Sequence, residues 1–189
     1  MKRLCCLACC CVLLIGIPAA SVVAQDKSVK PGINDTFKDP KVDEFLGKFE
    51  IESREVFSKR EKILAACKVT PGMSVADVGA GTGIYTRLFS DAVGKNGQVF
   101  AVDIAKNFLD HIAQDAREKD RKNIQTVLCE PDSTKLPASS VDLVYICDTS
   151  HHFEFPQKTL ASIYTGLKPE GRLIVIDFSY SKVRALHGR

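Results

Sequence analysis

Between residues 74 and 178, short apolar runs alternate with longer stretches whose apolar residues recur every three or four positions. This alternation constrains the fold more than any other feature. It predicts strands over 74–78, 98–102, 124–128, 141–147 and 173–178, with helices over 82–92, 106–118 and 157–167 between them. Turns are expected at 94–97 and 168–171, where glycine and proline collect. Phe108, Leu109, Ile112 and Ala116 share one face of the second helix, and Leu160, Ile163 and Leu167 share one face of the third. The second, fourth and fifth strand segments are nearly continuous apolar runs, the pattern of strands covered on both faces. With right-handed crossovers the result is an α/β fold, a Rossmann-like doubly wound, mostly parallel sheet. Ligands of such sheets bind beyond the carboxyl ends of the strands, near the point where strand order reverses.

The first strand segment runs into Val78-Gly79-Ala80-Gly81-Thr82-Gly83. Glycines there let the backbone turn sharply and let a ligand approach closely. The dinucleotide fingerprint G-x-G-x-x-G/A does not fit, since its last position falls on Ile84 from Gly79 or on Thr86 from Gly81. The phosphate loop ending in Lys-Ser/Thr is absent. Asp77 lies two residues before the first glycine. A carboxylate there repels pyrophosphate and attracts a ligand carrying an ammonium and a sulfonium, which describes S-adenosylmethionine. The alternative reading of Asp77 is a loop cap. Asp103 ends the second strand segment, 20 residues after Gly83, where an acidic residue accepts hydrogen bonds from ribose hydroxyls. Ile104 follows as a packing surface for adenine. Asp132, after the third strand segment, suits either the adenine amino group or a turn before Ser133.

These residues resemble the class I S-adenosylmethionine-dependent methyltransferases. The resemblance is carried by Asp77–Gly83, Asp103 after Ala101-Val102, Asp132 with Leu136-Pro137, Val141-Asp142-Leu143-Val144 and Leu167-Lys168-Pro169-Glu170-Gly171, in the family's order and spacing over roughly residues 45–180. It implies S-adenosyl-L-methionine as cofactor, with Gly79, Gly81 and Gly83 at its methionine part, Asp103 at ribose and Asp132 at adenine. Ala80, Ile104 and Ser133 complete the expected cofactor set. The type 11/25-like, small-molecule branch, including quinone- and lipid-type enzymes, is the most similar. Glu170 stands where the family usually has glycine. The family's sheet usually ends in an antiparallel hairpin, for which the 11 residues after Phe178 are too few. Strand five would then be an apolar edge, to be covered by the tail or by a homodimer partner, unless the chain is a truncated gene product.

Methyl transfer is an in-line displacement that depends chiefly on alignment and on exclusion of water. The acceptor is expected at the end of the fourth strand segment, in Cys147-Asp148-Thr149-Ser150-His151-His152-Phe153. His151 or His152 is the candidate base, and Asp148 the candidate for taking a proton or binding a cationic group. Each also has a structural reading, as a packed ring or a loop-ordering carboxylate. No third ligand accompanies the histidines at metal spacing, so no metal is expected. Two other functions compete: a nicotinamide-dependent oxidoreductase, disfavoured by the glycine spacing, and a cofactor-binding protein without turnover.

Upstream, the spacing of Phe49, Val56 and Ile63, with Phe57 and Leu64 one step behind, predicts helix from Val42 to Cys67, read with its flanks (41–70) as a lid. Its charged face includes Arg54 and Glu55, candidates for the cofactor's carboxylate or the substrate, although a solvated helix face is the commoner explanation for such charges. Residues 25–40 are polar and turn-rich and read as a flexible lead-in; 71–189 form the methyltransferase domain. Residues 1–24 read as an export signal: Lys2 and Arg3, then an apolar run of 14 residues over 4–17, Pro18, and a cleavage site after Ala24. An uncleaved membrane tether is the alternative, with membrane association. Either placement is in tension with a cofactor made in the cytosol. Five of the eight cysteines fall in this segment, leaving Cys67, Cys129 and Cys147, an odd set without CxxC spacing. They read as buried small hydrophobes, though one disulfide stays open in an oxidising compartment. Without Lys2 and Arg3 the chain has 24 basic (26 − 2) against 23 acidic side chains. With no basic patch, nucleic acid is not an expected partner.

Overall fold

The computed structural model describes residues 25–177. Five parallel strands form one sheet: β1 (Ser74–Val78), β2 (Gln98–Asp103), β3 (Ile124–Leu128), β4 (Val141–Cys147) and β5 (Leu167–Ile176), in the order β3-β2-β1-β4-β5. Strand order reverses between β1 and β4, which pair through Val75 with Leu143 and Val78 with Ile146. The doubly wound, Rossmann-like reading is correct, and no antiparallel hairpin is present among the described residues. The expected signal at 1–24 and the final residues 178–189 lie outside the described part.

The helices are α1 (Val42–Phe49), α2 (Glu55–Ser58), α3 (Arg60–Cys67), α4 (Ile84–Val93), α5 (Lys106–Glu118) and α6 (Pro156–Gly166). Alternate residues of each inner strand serve opposite faces. Val75, Val99, Leu143 and Tyr145 pack on Tyr85, Phe89 and Val93 of α4 and on Cys67 of α3. Ala76, Val78, Phe100, Val102, Val144 and Ile146 pack with Ile163 of α6. Leu109 and Ile112 of α5 cover Ala101. Each fully buried Val, Leu, Ile or Phe among them contributes roughly 1.5–3 kcal/mol. Pro156 starts α6, where its missing N–H costs nothing. Asp142 ties three strands together, accepting from the Ser74 N–H at 2.8 Å and Lys168 Nζ at 2.9 Å.

Three local expectations are corrected. The helix expected from Val42 to Cys67 is broken into α1, α2 and α3. Its apolar stripe is real, but the chain must bend over the cleft, and the break at 50–54 turns Glu50 and Arg54 inward to partners on the main body. Residues 25–40, expected to be a flexible lead-in, include a 3-10 turn at Asp35–Phe37 and dock on the loop before α6. There Val29 N–H donates to the Glu154 carbonyl at 2.9 Å, Lys30 Nζ to the His151 carbonyl at 2.9 Å, and Asn34 Nδ2 to the His152 carbonyl at 3.1 Å. β5 begins at Leu167 rather than at residue 173, because the expected turn at 168–171 is an irregularity within the strand: Val141 pairs with Leu167 and Leu143 with Arg172.

Candidate functional site

The carboxyl ends of β1, β2 and β4 open into a cavity of about 330 Å³, roofed by α1, the Arg54 bend and the 3-10 turn. This is within the roughly 300–1,000 Å³ typical of ligand pockets. Leaving β1, the chain turns back over β2, with the N–H groups of Gly79 and Ala80 both donating to the Val102 carbonyl, at 2.8 and 3.1 Å. Gly79 has φ +76°, and a β-carbon there would collide with the Thr149 side chain of the β4 loop. Gly83 caps α4 at φ +85°, and its β-carbon would come within 2.8 Å of Ile112. Both positions demand glycine for conformation and for space.

Asp77 is 3% exposed and accepts from Thr86 Oγ1 at 2.6 Å. Burial pushes its carboxyl up to about 7, against the pull of the Thr86 hydroxyl. Both readings of Asp77 survive: it is anchored like a cap, yet it lines the cavity beneath the loop. Asp103 is also buried, and its Oδ2 accepts the Gly81 N–H at 2.9 Å while Oδ1 accepts the Ala105 N–H at 2.8 Å. Burial raises its pKa while these N–H bonds oppose the rise. Asp103 therefore anchors the glycine loop and starts α5, and with about four lone-pair sites a carboxylate keeps capacity for ribose hydroxyls.

Of the other expected cofactor residues, Gly79, Ala80, Gly81, Ile104 and Ser133 line the cavity. Gly83 shapes the loop from behind. Asp132 is outside the lining; it turns to Lys158 at 3.5 Å, and Glu130 of the same loop lines the cavity instead. A non-periodic loop gives no sequence signal as to which of two nearby carboxylates faces inward.

At the acceptor end, Asp148 has φ +47° and pairs with Arg54 Nη2 at 2.5 Å. Arg54 in turn lies 5.0 Å from the centroid of the Phe49 ring, which packs against Gly81. Glu55 faces outward and pairs with Lys59. His151 Nδ1 lies 3.0 Å from Asp177 Oδ1, and Ser150 Oγ donates to Asp177 Oδ2 at 2.5 Å. His152 packs edge-on to Phe37 with ring centroids 5.2 Å apart. Burial, with the nearby His151 and Lys30, holds its pKa below the usual value, so it is neutral at neutral pH. Asp148, His151 and His152 all line the same cavity.

Sequence reasoning missed Asp177, Thr86, the Glu50–Arg87 pair at 2.8 Å and the lining side chains Asn34, Phe37 and Phe49. Thr86 reaches Asp77 from the first turn of the following helix, and the others are through-space partners from distant parts of the chain. Cys67, Cys129 and Cys147 are free, and burial pushes the thiols of Cys129 and Cys147 up to about 12. They are thiols rather than nucleophilic thiolates at neutral pH. No cluster of three metal-ligating side chains is present among the described residues, and no described helix is long and apolar enough to cross a membrane.

Residues 76–175 match a protein family described as a methyltransferase domain. The ubiquinone/menaquinone biosynthesis C-methyltransferase UbiE of Bordetella parapertussis is 30% identical over 111 residues, covering 59% of this chain and 43% of that protein. UbiE of Pseudoalteromonas translucida is 34% identical over 125 residues, covering 64% and 48%. The matched stretch thus spans under half the length of these relatives. Among solved structures, a SAM dependent methyltransferase from Aquifex aeolicus superposes with TM-score 0.66 at 28% identity, covering 74% of this chain and 73% of that one. Coclaurine N-methyltransferase bound to N-methylheliamine and SAH superposes with TM-score 0.63 at 19% identity, covering 80% and 48%, a likeness of fold.

Proposed function

The chain belongs to the class I S-adenosylmethionine-dependent methyltransferases, and from that premise we propose that it transfers the methyl group of S-adenosylmethionine to a small, largely apolar acceptor. The observation that carries this reading is the charge of the cleft. Asp77, Asp103, Glu130 and Asp148 line it, with Arg54 as the one Arg or Lys among the described lining residues. Such a cleft rejects pyrophosphate and suits a ligand with two positive groups and one carboxylate. The glycine loop accommodates the methionine part. Asp103 serves the ribose, and Ile104 with the 130–133 loop serves the adenine.

The acceptor enters between the docked N-terminal segment and the β4 loop, where Phe37, Phe49, Val56 and Phe153 supply apolar wall. The UbiE likeness supports a ring-bearing acceptor. These walls exclude water and hold the acceptor in line with the methyl group, the main contribution an enzyme makes to such a displacement. Two groups there suit proton transfer: His151, oriented by Asp177, and Asp148. The export signal, or a retained tether, remains our reading of residues 1–24; N-terminal sequencing of the mature protein distinguishes them.

Calorimetry with S-adenosylmethionine, S-adenosylhomocysteine and NADH tests the cofactor. Both sulfur nucleosides are expected to bind and NADH is not. Asp103→Asn is expected to weaken S-adenosylhomocysteine at least tenfold, about 1.4 kcal/mol. Preference for NADH, or unchanged affinity in a folded Asp103→Asn variant, would overturn the assignment.

A further inference from the structure

Resting on the proposed cofactor, we propose that Arg54 is a carboxylate-exchange residue: it pairs with Asp148 and passes to the carboxylate of the cofactor's methionine part when that ligand binds, releasing Asp148 to the acceptor. Three observations lead there. First, the lining residues supply four carboxyl groups but, among those described, no Arg or Lys other than Arg54. The cofactor's ammonium and sulfonium have several acidic partners to choose from, whereas its carboxylate has this one guanidinium. Second, Arg54 is already placed over the loop that would carry the methionine part, because it lies on the Phe49 ring and that ring packs on Gly81. Third, its present partner is chemically the same as the incoming one. Asp148 meets Arg54 end-on through one nitrogen, at 2.5 Å, and the two side chains are 21% and 29% exposed, so the pair is reachable from the cavity. Arg is suited to such a swap because its planar fork takes one carboxylate or bridges two.

Asp148 also stands in a left-handed backbone conformation, φ +47°, uncommon for a residue with a β-carbon. Its backbone N–H is fixed to the Ile176 carbonyl at 2.8 Å, so the residue keeps its place when the side chain loses its partner. The released carboxylate then faces the acceptor end beside Thr149 and His151. Cofactor binding thereby prepares the acceptor subsite, and the order of binding becomes cofactor first.

Calorimetry with two ligands separates this proposal from the cofactor assignment itself. S-adenosylhomocysteine carries the amino-acid carboxylate, and 5′-methylthioadenosine lacks the whole amino-acid part. Arg54→Gln is expected to weaken the first at least tenfold and the second less than twofold. Asp148→Asn, which removes the competing charge, is expected to tighten S-adenosylhomocysteine by about threefold to tenfold and leave methylthioadenosine unchanged. Thermal melts of both variants accompany the titrations. Should Arg54→Gln destabilise the fold, Arg54→Lys replaces it, with a smaller loss of the same selectivity. Weaker S-adenosylhomocysteine binding in Asp148→Asn would mean that Asp148 attracts the ammonium or merely steadies Arg54, and would overturn the exchange. Equal loss of both ligands in Arg54→Gln would do so too. Failure of the wild-type chain to bind either ligand counts against the cofactor assignment instead.

Discussion

Asp77 lines the cavity beneath the glycine loop, and its ionisation works against the stability of the folded chain. Its carboxyl is 3% exposed, and burial lifts it from an ordinary value of 3.8 to about 7. The folded chain therefore holds a proton that the unfolded chain releases at about pH 4. The stabilisation linked to this proton is complete below that pH and is lost as pH rises through about 7. Asp77→Asn removes the dependence. The variant is expected to melt about 3–6 °C above wild type near pH 8, with the difference vanishing near pH 4, as read by calorimetric melts across pH. Cofactor binding should respond in the opposite sense, because a cation prefers the ionised carboxyl. Affinity of the wild type for S-adenosylmethionine is expected to rise about tenfold between pH 6 and pH 8, and to be weaker and flatter in Asp77→Asn. A wild-type titration curve without pH dependence would show that Asp77 does not sense the ligand's charge.

At the scale of elements, β5 carries a local misfit of residue and conformation. Its irregularity over 168–171 puts Glu170 at φ +66°, exposed, at the end of the sheet opposite the cleft. A β-carbon in that region costs about 1–2 kcal/mol, of which glycine returns part as unfolded-chain entropy. Glu170→Gly is expected to stabilise by about 0.5–1 kcal/mol in denaturant titrations and to leave cofactor affinity unchanged. The sequence marks this place, since glycine is usual there in the family and Pro169 precedes it. Other elements differ in how far they were legible. The inner strands were plain because burial on both faces leaves an apolar run, and α5 was plain because its stripe keeps one period throughout. The break-up of the 42–67 region was not, since its stripe continues through Phe49, Val56 and Ile63 across the bends. Those bends are set by partners far away in sequence, Arg87 for Glu50 and Asp148 for Arg54. The site divides in the same way. Asp77, Asp103 and the glycines follow from local pattern at strand ends, whereas Glu130 and Asp177 owe their places to loops that meet only in the folded chain.

For the molecule as a whole, the β5 border of the sheet is exposed among the described residues. β3 and β5 are the edge strands, and on β5 Leu173 and Val175 are 38% and 47% exposed while Ile174 and Ile176 pack inward. On α6, the helix beside β5, Leu160 and Tyr164 are 46% and 81% exposed. An apolar strand edge without a paired strand among the described residues is a template for another chain. Two copies meeting edge to edge through β5 would pair their backbones and cover these side chains about a twofold axis, the commonest symmetry of a dimer. The expected outcome is concentration-dependent association in sedimentation velocity. Replacing Leu173 and Val175 by Lys and Thr should shift it to monomer, with the melting temperature little changed because exposed positions cost about 0.5 kcal/mol or less. Cofactor affinity should survive the substitutions, because neither side chain lines the cavity. A wild-type chain that sediments as a monomer at all concentrations would sink edge pairing. It would leave these four side chains to be covered from within the same chain.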